Sequence, residues 1–262
     1  MKYLFFCSLL IWGCHNVSNT QQTSVKNETD SSQVAKKIQE KILFDNDTIV
    51  VYGIDSVSFF EQRQKYNVRP DTIPYISDFA QAKEMLKGKV VFGNWNEEKR
   101  IIDSLLDGEM FALLRFENGK VFDPNAQNEI WYDVGFVKYF PTEHIVLFEG
   151  GHTSDFSVDL RDGLIDVTRV GNPDYIVYSP NKHYRLNGWF PGQECSEYFI
   201  QKQVNGKYMF YAGIPIHLTQ AGFDLCMIED IFWVSDSELY FRNKYWGTTE
   251  DERLGFFKLV IK

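Results

Sequence analysis

Basic residues are in short supply: 27 lysines and arginines face 36 aspartates and glutamates, a formal net charge of −9. No Lys/Arg cluster interrupts that balance, which argues against nucleic acid and anionic lipid as partners. Histidine is rarer still, with five in 262 residues. There is no CxxC or HxxxH spacing, so no zinc-ligand pattern exists, and no cofactor signature replaces it. Neither a nucleophile elbow nor another hydrolase signature is present. After Trp12 no stretch approaches twenty apolar residues, which leaves no second segment able to cross a membrane as a helix. Cysteine is limited to four positions, Cys7, Cys14, Cys195 and Cys226.

What is present begins at the first residue. Lys2, an apolar run from Tyr3 to Trp12 and then Gly13-Cys14 have the layout of an export signal, and the run is too short to span a bilayer. The segment Ile11-Trp12-Gly13-Cys14 resembles the lipobox of bacterial lipoproteins, a match that covers the leader only. The resemblance implies cleavage before Cys14, acylation of that cysteine and residence in the bacterial cell envelope. Several acyl chains make such anchoring durable where a single one is marginal. His15, in the place where an aspartate favours the inner membrane, leans toward the outer one. The competing reading is an ordinary cleaved secretory signal with Cys14 as a bystander.

Residues 14–33 stay polar and cannot bury enough apolar surface to order themselves, so they read as a tether behind the signal at 1–13. Nineteen such residues would wander roughly 25 Å and reach at most about 65 Å. The remainder is long enough for one sizeable core or two small ones. Its aromatic richness, with 22 Phe, 14 Tyr and 6 Trp in the whole chain, favours strands. With Cys7 lost and Cys14 acylated, Cys195 and Cys226 are left in a compartment where disulfides persist. They either close a loop of about thirty residues or remain buried thiols.

Periodicity divides the rest. Residues 34–108 read as a helix-rich lead-in, with a short amphipathic pattern over 34–43. Asp55 caps a helix through Tyr66 with Val57, Phe59 and Phe60 on its apolar side. Asp78 and Gln81 form a capping box closed by Gly88, and 96–106 repeats Ile101, Ile102, Leu105 and Leu106 at helical spacing. Short strands fit 48–52 and 90–92. Residues 109–262 switch to two-residue alternation with hairpin turns at Glu117-Asn118-Gly119-Lys120, Arg161-Asp162-Gly163-Leu164 and Val204-Asn205-Gly206-Lys207. The expected fold class is α+β, mainly antiparallel β: a short helical N-terminal part and then a meandering sheet or sandwich, with a partial or small β-propeller as the alternative. A faint echo links residues 176–184 and 231–240, each an apolar run, a serine turn and a return strand. That echo resembles the inner hairpin of blades in periplasmic β-propellers.

Chemistry-bearing residues gather in two places. In Glu149-Gly150-Gly151-His152-Thr153-Ser154-Asp155, His152 could serve as a general base oriented by Asp155, beside the Ser154 or Thr153 hydroxyl. The plainer reading is a turn that satisfies its own backbone. In residues 186–197, Trp189 and Phe190 sit between two glycines ahead of Glu194 and Glu197. Ring faces beside polar groups suit a glycan surface. Glu194 and Glu197 could form a glycosidase pair, although on a strand positions three apart face opposite ways. Core packing of Trp189 and Phe190 is the competing reading. Trp246 is a candidate rim residue for binding, Trp233 reads as core, and Trp131 has no informative spacing. His144, His183 and His217 stand alone in turns or strands, and the acidic turn at 250–252 lacks calcium-ligand spacing. No cofactor and no metal are implied. The expected role is a non-catalytic binding or structural one in the envelope, toward a protein or glycan partner. A glycan-directed periplasmic hydrolase and an inhibitor or immunity-type lipoprotein are the alternatives.

Overall fold

The computed structural model describes residues 40–66, 71–127, 133–193, 195–218, 225–243 and 255–262, and of His152 the backbone alone. The leader, Cys14, the tether, Trp131, Glu194, Trp246 and the acidic turn at 250–252 lie outside the described residues. Within them the chain is α+β and mainly antiparallel β. Its strands form three sheets of five, four and seven strands, unlike the four or more four-stranded blades of a propeller.

The five-stranded sheet runs β1 (Lys41–Asp45), β2 (Ile49–Ile54), β16 (Phe256–Ile261), β15 (Glu238–Asn243), β14 (Ile228–Ser235). Its central strands read IVVYGI and FFKLVI, near-continuous apolar runs of the kind that both-face burial requires. Val51, Leu239, Phe241, Phe257 and Leu259 turn to one face and meet Leu186, Ile200 and Ala212 of the four-stranded sheet. Phe232, Tyr240 and Phe256 turn to the other.

That second face is covered by α1 (Ser56–Lys65), which Asp55 caps by accepting from the Ser58 N–H at 2.7 Å. Its Phe59 is fully buried, with its ring 5.4 Å from that of Phe232 and 5.2 Å from that of Phe256. Phe60, expected on the same apolar side, is 44 % exposed but keeps its ring 5.6 Å from that of Phe256, whereas Val57 is 64 % exposed. A ten-residue helix resting on a flat sheet brings little more than one side chain per turn into contact.

The four-stranded sheet is a plain meander: β10 (Val177–Tyr178), β11 (Tyr184–Trp189), β12 (Glu197–Val204), β13 (Lys207–Ile214). Asn205 and Gly206 join the last two strands with φ of +51° and +79°. Positive φ at both loop positions defines the turn whose twist matches its strands, and Asn-Gly adopts it at least cost. The echoed segments are two hairpins that touch. Trp233 Nε1 donates to the Val177 carbonyl at 3.0 Å, and Asp236 accepts from the Asn181 N–H at 2.9 Å.

The seven-stranded sheet holds β3 (Val90–Asn96), β4 (Ile101–Asp103), β5 (Met110–Arg115), β6 (Val121–Phe122), β7 (Gly135–Phe140), β8 (Ile145–Gly150) and β9 (Ser154–Asp159). In a flat sheet β5 and β9, three steps apart, would lie about 14 Å from each other. The rings of Phe111 and Phe156 on those strands nevertheless stack 5.9 Å apart. The sheet therefore curls around its own side chains, and α2 (Phe79–Met85) closes it with Ala82 and Leu86. Asp78 caps α2 by accepting from the Gln81 N–H at 2.8 Å.

The helix expected over 96–106 is a hairpin. Gly93 lies so close to the Asp103 carbonyl that a Cβ there would stand 2.5 Å from it. The Asn125 side chain accepts from Ile102 N–H and donates to Ile102 O, supplying a strand-like rung. Of the four apolar residues, Ile102 is buried while Leu105 is 87 % exposed. The described end of the 34–43 pattern likewise lies in β1.

Candidate functional site

The two sequence clusters converge, but on structural work. Asp155 opens β9 and reaches the end of β11: its N–H donates to the Phe190 carbonyl at 2.7 Å. Its Oδ2 accepts from the Phe190 N–H at 2.8 Å, and its Oδ1 accepts from Asn172 Nδ2 at 3.0 Å. Burial pushes the Asp155 carboxyl above the usual aspartate range, more than those hydrogen bonds pull it down. Oδ2 thus ties β9 to the end of β11 and Oδ1 holds Asn172, so both oxygens carry structural hydrogen bonds.

Trp189 and Glu197 are direct cross-strand neighbours on β11 and β12, and both are half-buried, as is Phe190. The Trp189 indole Nε1 is buried and, among the described residues, has no hydrogen-bond partner, so its polar end points inward rather than toward a surface. His144 and His183 each sit on a carboxylate, Glu117 at 3.0 Å and Asp236 at 2.7 Å. Trp233 is buried. Replacing Asp155 with alanine strips the Phe190 N–H and the Asn172 amide of their acceptor. The expected loss is about 1–3 kcal/mol of unfolding free energy, read as a shifted urea midpoint; an unchanged midpoint would deny Asp155 this role.

The more unusual place lies between the curled sheet and the four-stranded sheet, where α3 (Val167–Val170) packs. Strand alternation puts Leu186 of β11 into the apolar core and turns Arg185 and Asn187 the other way. With Gln201 of β12 these two form a polar layer that is almost wholly buried. Gln201 ties it together: Oε1 accepts from Arg185 Nε at 2.7 Å and Asn187 Nδ2 at 3.2 Å, while Nε2 donates to the Arg169 carbonyl at 2.7 Å.

Arg185 is the centre of this layer, 2 % exposed. Its Nη1 donates to Glu143 Oε2 at 2.6 Å, and its guanidinium carbon stands 4.0 Å from the ring centre of Tyr208. Such an ion needs both a counter-charge and hydrogen bonds to be tolerated away from water. Burial alone would raise the Glu143 carboxyl, but the Arg185 charge beside it outweighs this and holds it below the usual glutamate range. Tyr178 also donates to Glu143, at 2.8 Å, and its hydroxyl titrates far above the usual tyrosine value, chiefly through burial.

Beside Arg185 opens a cavity of about 320 Å³. Asp159 of β9 and Arg161 form a two-pronged pair at 2.9 and 2.7 Å, and Lys207 bridges Asp159 and Asp162. Apolar walls come from Ile145, Leu164 and Val170, and the mouth from Met209 and Phe210, which are 46 % and 45 % exposed. No sequence pattern marked this site. The one local signal was polar residues at alternate positions, Arg185 and Asn187, within an otherwise apolar strand. Among the described residues no group of histidine, cysteine, aspartate and glutamate is arranged to hold a metal. Compared with protein families, with curated proteins and with solved structures, this chain finds no match.

Proposed function

We propose that this chain is an envelope-anchored lipoprotein with a non-catalytic binding role, held to the membrane through acylated Cys14. The observation that carries the binding half is the cavity beside Arg185, a concave site where six charged side chains, Gln201 and Tyr208 converge beside apolar Ile145, Leu164, Val170, Met209 and Phe210; concave sites with converging polar groups are where small molecules bind. Its carboxylates are locked into ion pairs, which suits holding a ligand better than moving protons. Supporting the anchoring half is the lipobox-like segment ending at Cys14. The test uses the full chain expressed with an alkyne-tagged fatty acid. Label should appear on the wild-type chain in the membrane fraction and vanish in Cys14→Ser. A mature terminus without lipid would overturn the anchoring. Native mass spectrometry of the detergent-purified chain should release a bound small molecule chemically unchanged; turnover of it would overturn the non-catalytic half.

A further inference from the structure

Arg185 carries the clue to what the cavity takes. Its Nε is engaged by Gln201 and its Nη1 by Glu143 and Tyr178, yet among the described residues its Nη2 has no acceptor. Arg185 lines the cavity, so Nη2 is the donor left for an acceptor bound there. Four cations line the cavity, Arg161, Arg169, Arg185 and Lys207, against two carboxylates, Asp159 and Asp162. Glu143 and Asp166, which pair with Arg185 and Arg169, are not among the lining residues. With those partners counted, four cations meet four carboxylates, so the charges around the cavity balance in a chain of net charge −9.

With no surplus of positive charge, a phosphate dianion would meet Asp159 and Asp162 at close quarters, whereas a single carboxylate needs only the free Nη2. Beside Gln201 and Tyr208 the rest of the lining is apolar, and two of its side chains, Met209 and Phe210, stand exposed at the mouth. We infer that this cavity is the binding site for a small amphipathic monocarboxylate, its carboxylate on Arg185 Nη2 and its apolar body along Val170, Met209 and Phe210. The inference rests on the binding reading above and gives that reading a chemical class of ligand.

The test is calorimetric titration of the full-length chain with octanoate, octanamide, acetate and inorganic phosphate. Octanoate should bind at least tenfold more tightly than each of the other three, since the amide lacks charge, acetate lacks the apolar body and phosphate carries excess charge. Met209→Ser/Phe210→Ser, confined to exposed side chains, should weaken octanoate by roughly fivefold or more. Arg185→Lys, which keeps the charge but not the fork, should weaken it by roughly tenfold or more. Val57→Ser, exposed on α1 far from the cavity in the fold, should leave it unchanged. If Arg185→Lys does not fold, the amide comparison and the mouth variant still decide. Equal binding of octanoate and octanamide, or octanoate binding indifferent to both variants, would overturn the assignment. So would absence of octanoate binding, and labelling at Cys14 would survive that result, so the two readings fail separately.

Discussion

Arg185→Met should lower the unfolding free energy by about 3–5 kcal/mol at pH 7. The side-chain volume is nearly kept, so the loss is electrostatic. Glu143 would be left largely buried without its counter-charge, with Tyr178 as its only remaining hydrogen-bond donor among the described residues, and Gln201 Oε1 would keep one donor of two. Adding Glu143→Gln to the same chain should restore part of the loss, because the stranded charge is then gone. Urea denaturation of the two single variants and the double variant measures this. A single-variant loss below about 1 kcal/mol would mean that Arg185 is solvated rather than buried.

The same pair sets a pH dependence whose sign can be worked out. Glu143 and Asp159 titrate below their ordinary values when folded: burial raises both, but Arg185 and Arg161 respectively outweigh it. An unfolded chain therefore binds their protons first as pH falls. Their stabilisation is complete above the ordinary values of 4.5 and 3.8 and is lost as pH drops through the lower folded values. Glu143→Gln should flatten the acid limb of the stability curve, whatever it does at neutral pH.

Reduction of the Cys195–Cys226 bond should cost about 3–4 kcal/mol in the chain-entropy picture, for a sequence separation of 31. The bond ties the β11–β12 connection of the four-stranded sheet, at Cys195, to the chain just before β14 of the five-stranded one, at Cys226. Around it the Ser196 N–H donates to the Cys226 carbonyl at 3.1 Å, and the Ile228 N–H donates to the Tyr198 hydroxyl at 3.2 Å. Those contacts persist in Cys226→Ser, so the folded form should survive with a lower midpoint in guanidinium. Identical midpoints with and without reductant, for a bond shown by mass to be cleaved, would contradict this account.

Local chemistry was legible and distant pairing was not. Asp55 and Asp78 announce helix starts because a carboxylate three residues ahead of an open N–H needs no tertiary help. Asn205-Gly206 announces its hairpin for a similar reason, since the turn depends on two backbone angles alone. Residues 96–106 misled because their apolar spacing fits a helix. The deciding facts, the close approach at Gly93 and the Asn125 rung on Ile102, come from tertiary contact. Arg185 was missed for the same cause: its partner Glu143 lies 42 residues away, and nothing adjacent in sequence pairs the two. Asp155 was legible as a polar residue in a Gly-rich connection, while its use as a clasp for Phe190 was not.

The ladder between β2 and β16, where Ile49 meets Ile261, has a consequence for biogenesis. β2 cannot find this neighbour until β16 has been made, and such remote pairing is slow as well as late. Until then the five-stranded sheet lacks the strand that joins β2 to β15, whereas the curled and four-stranded sheets draw on contiguous stretches of chain and do not wait for it.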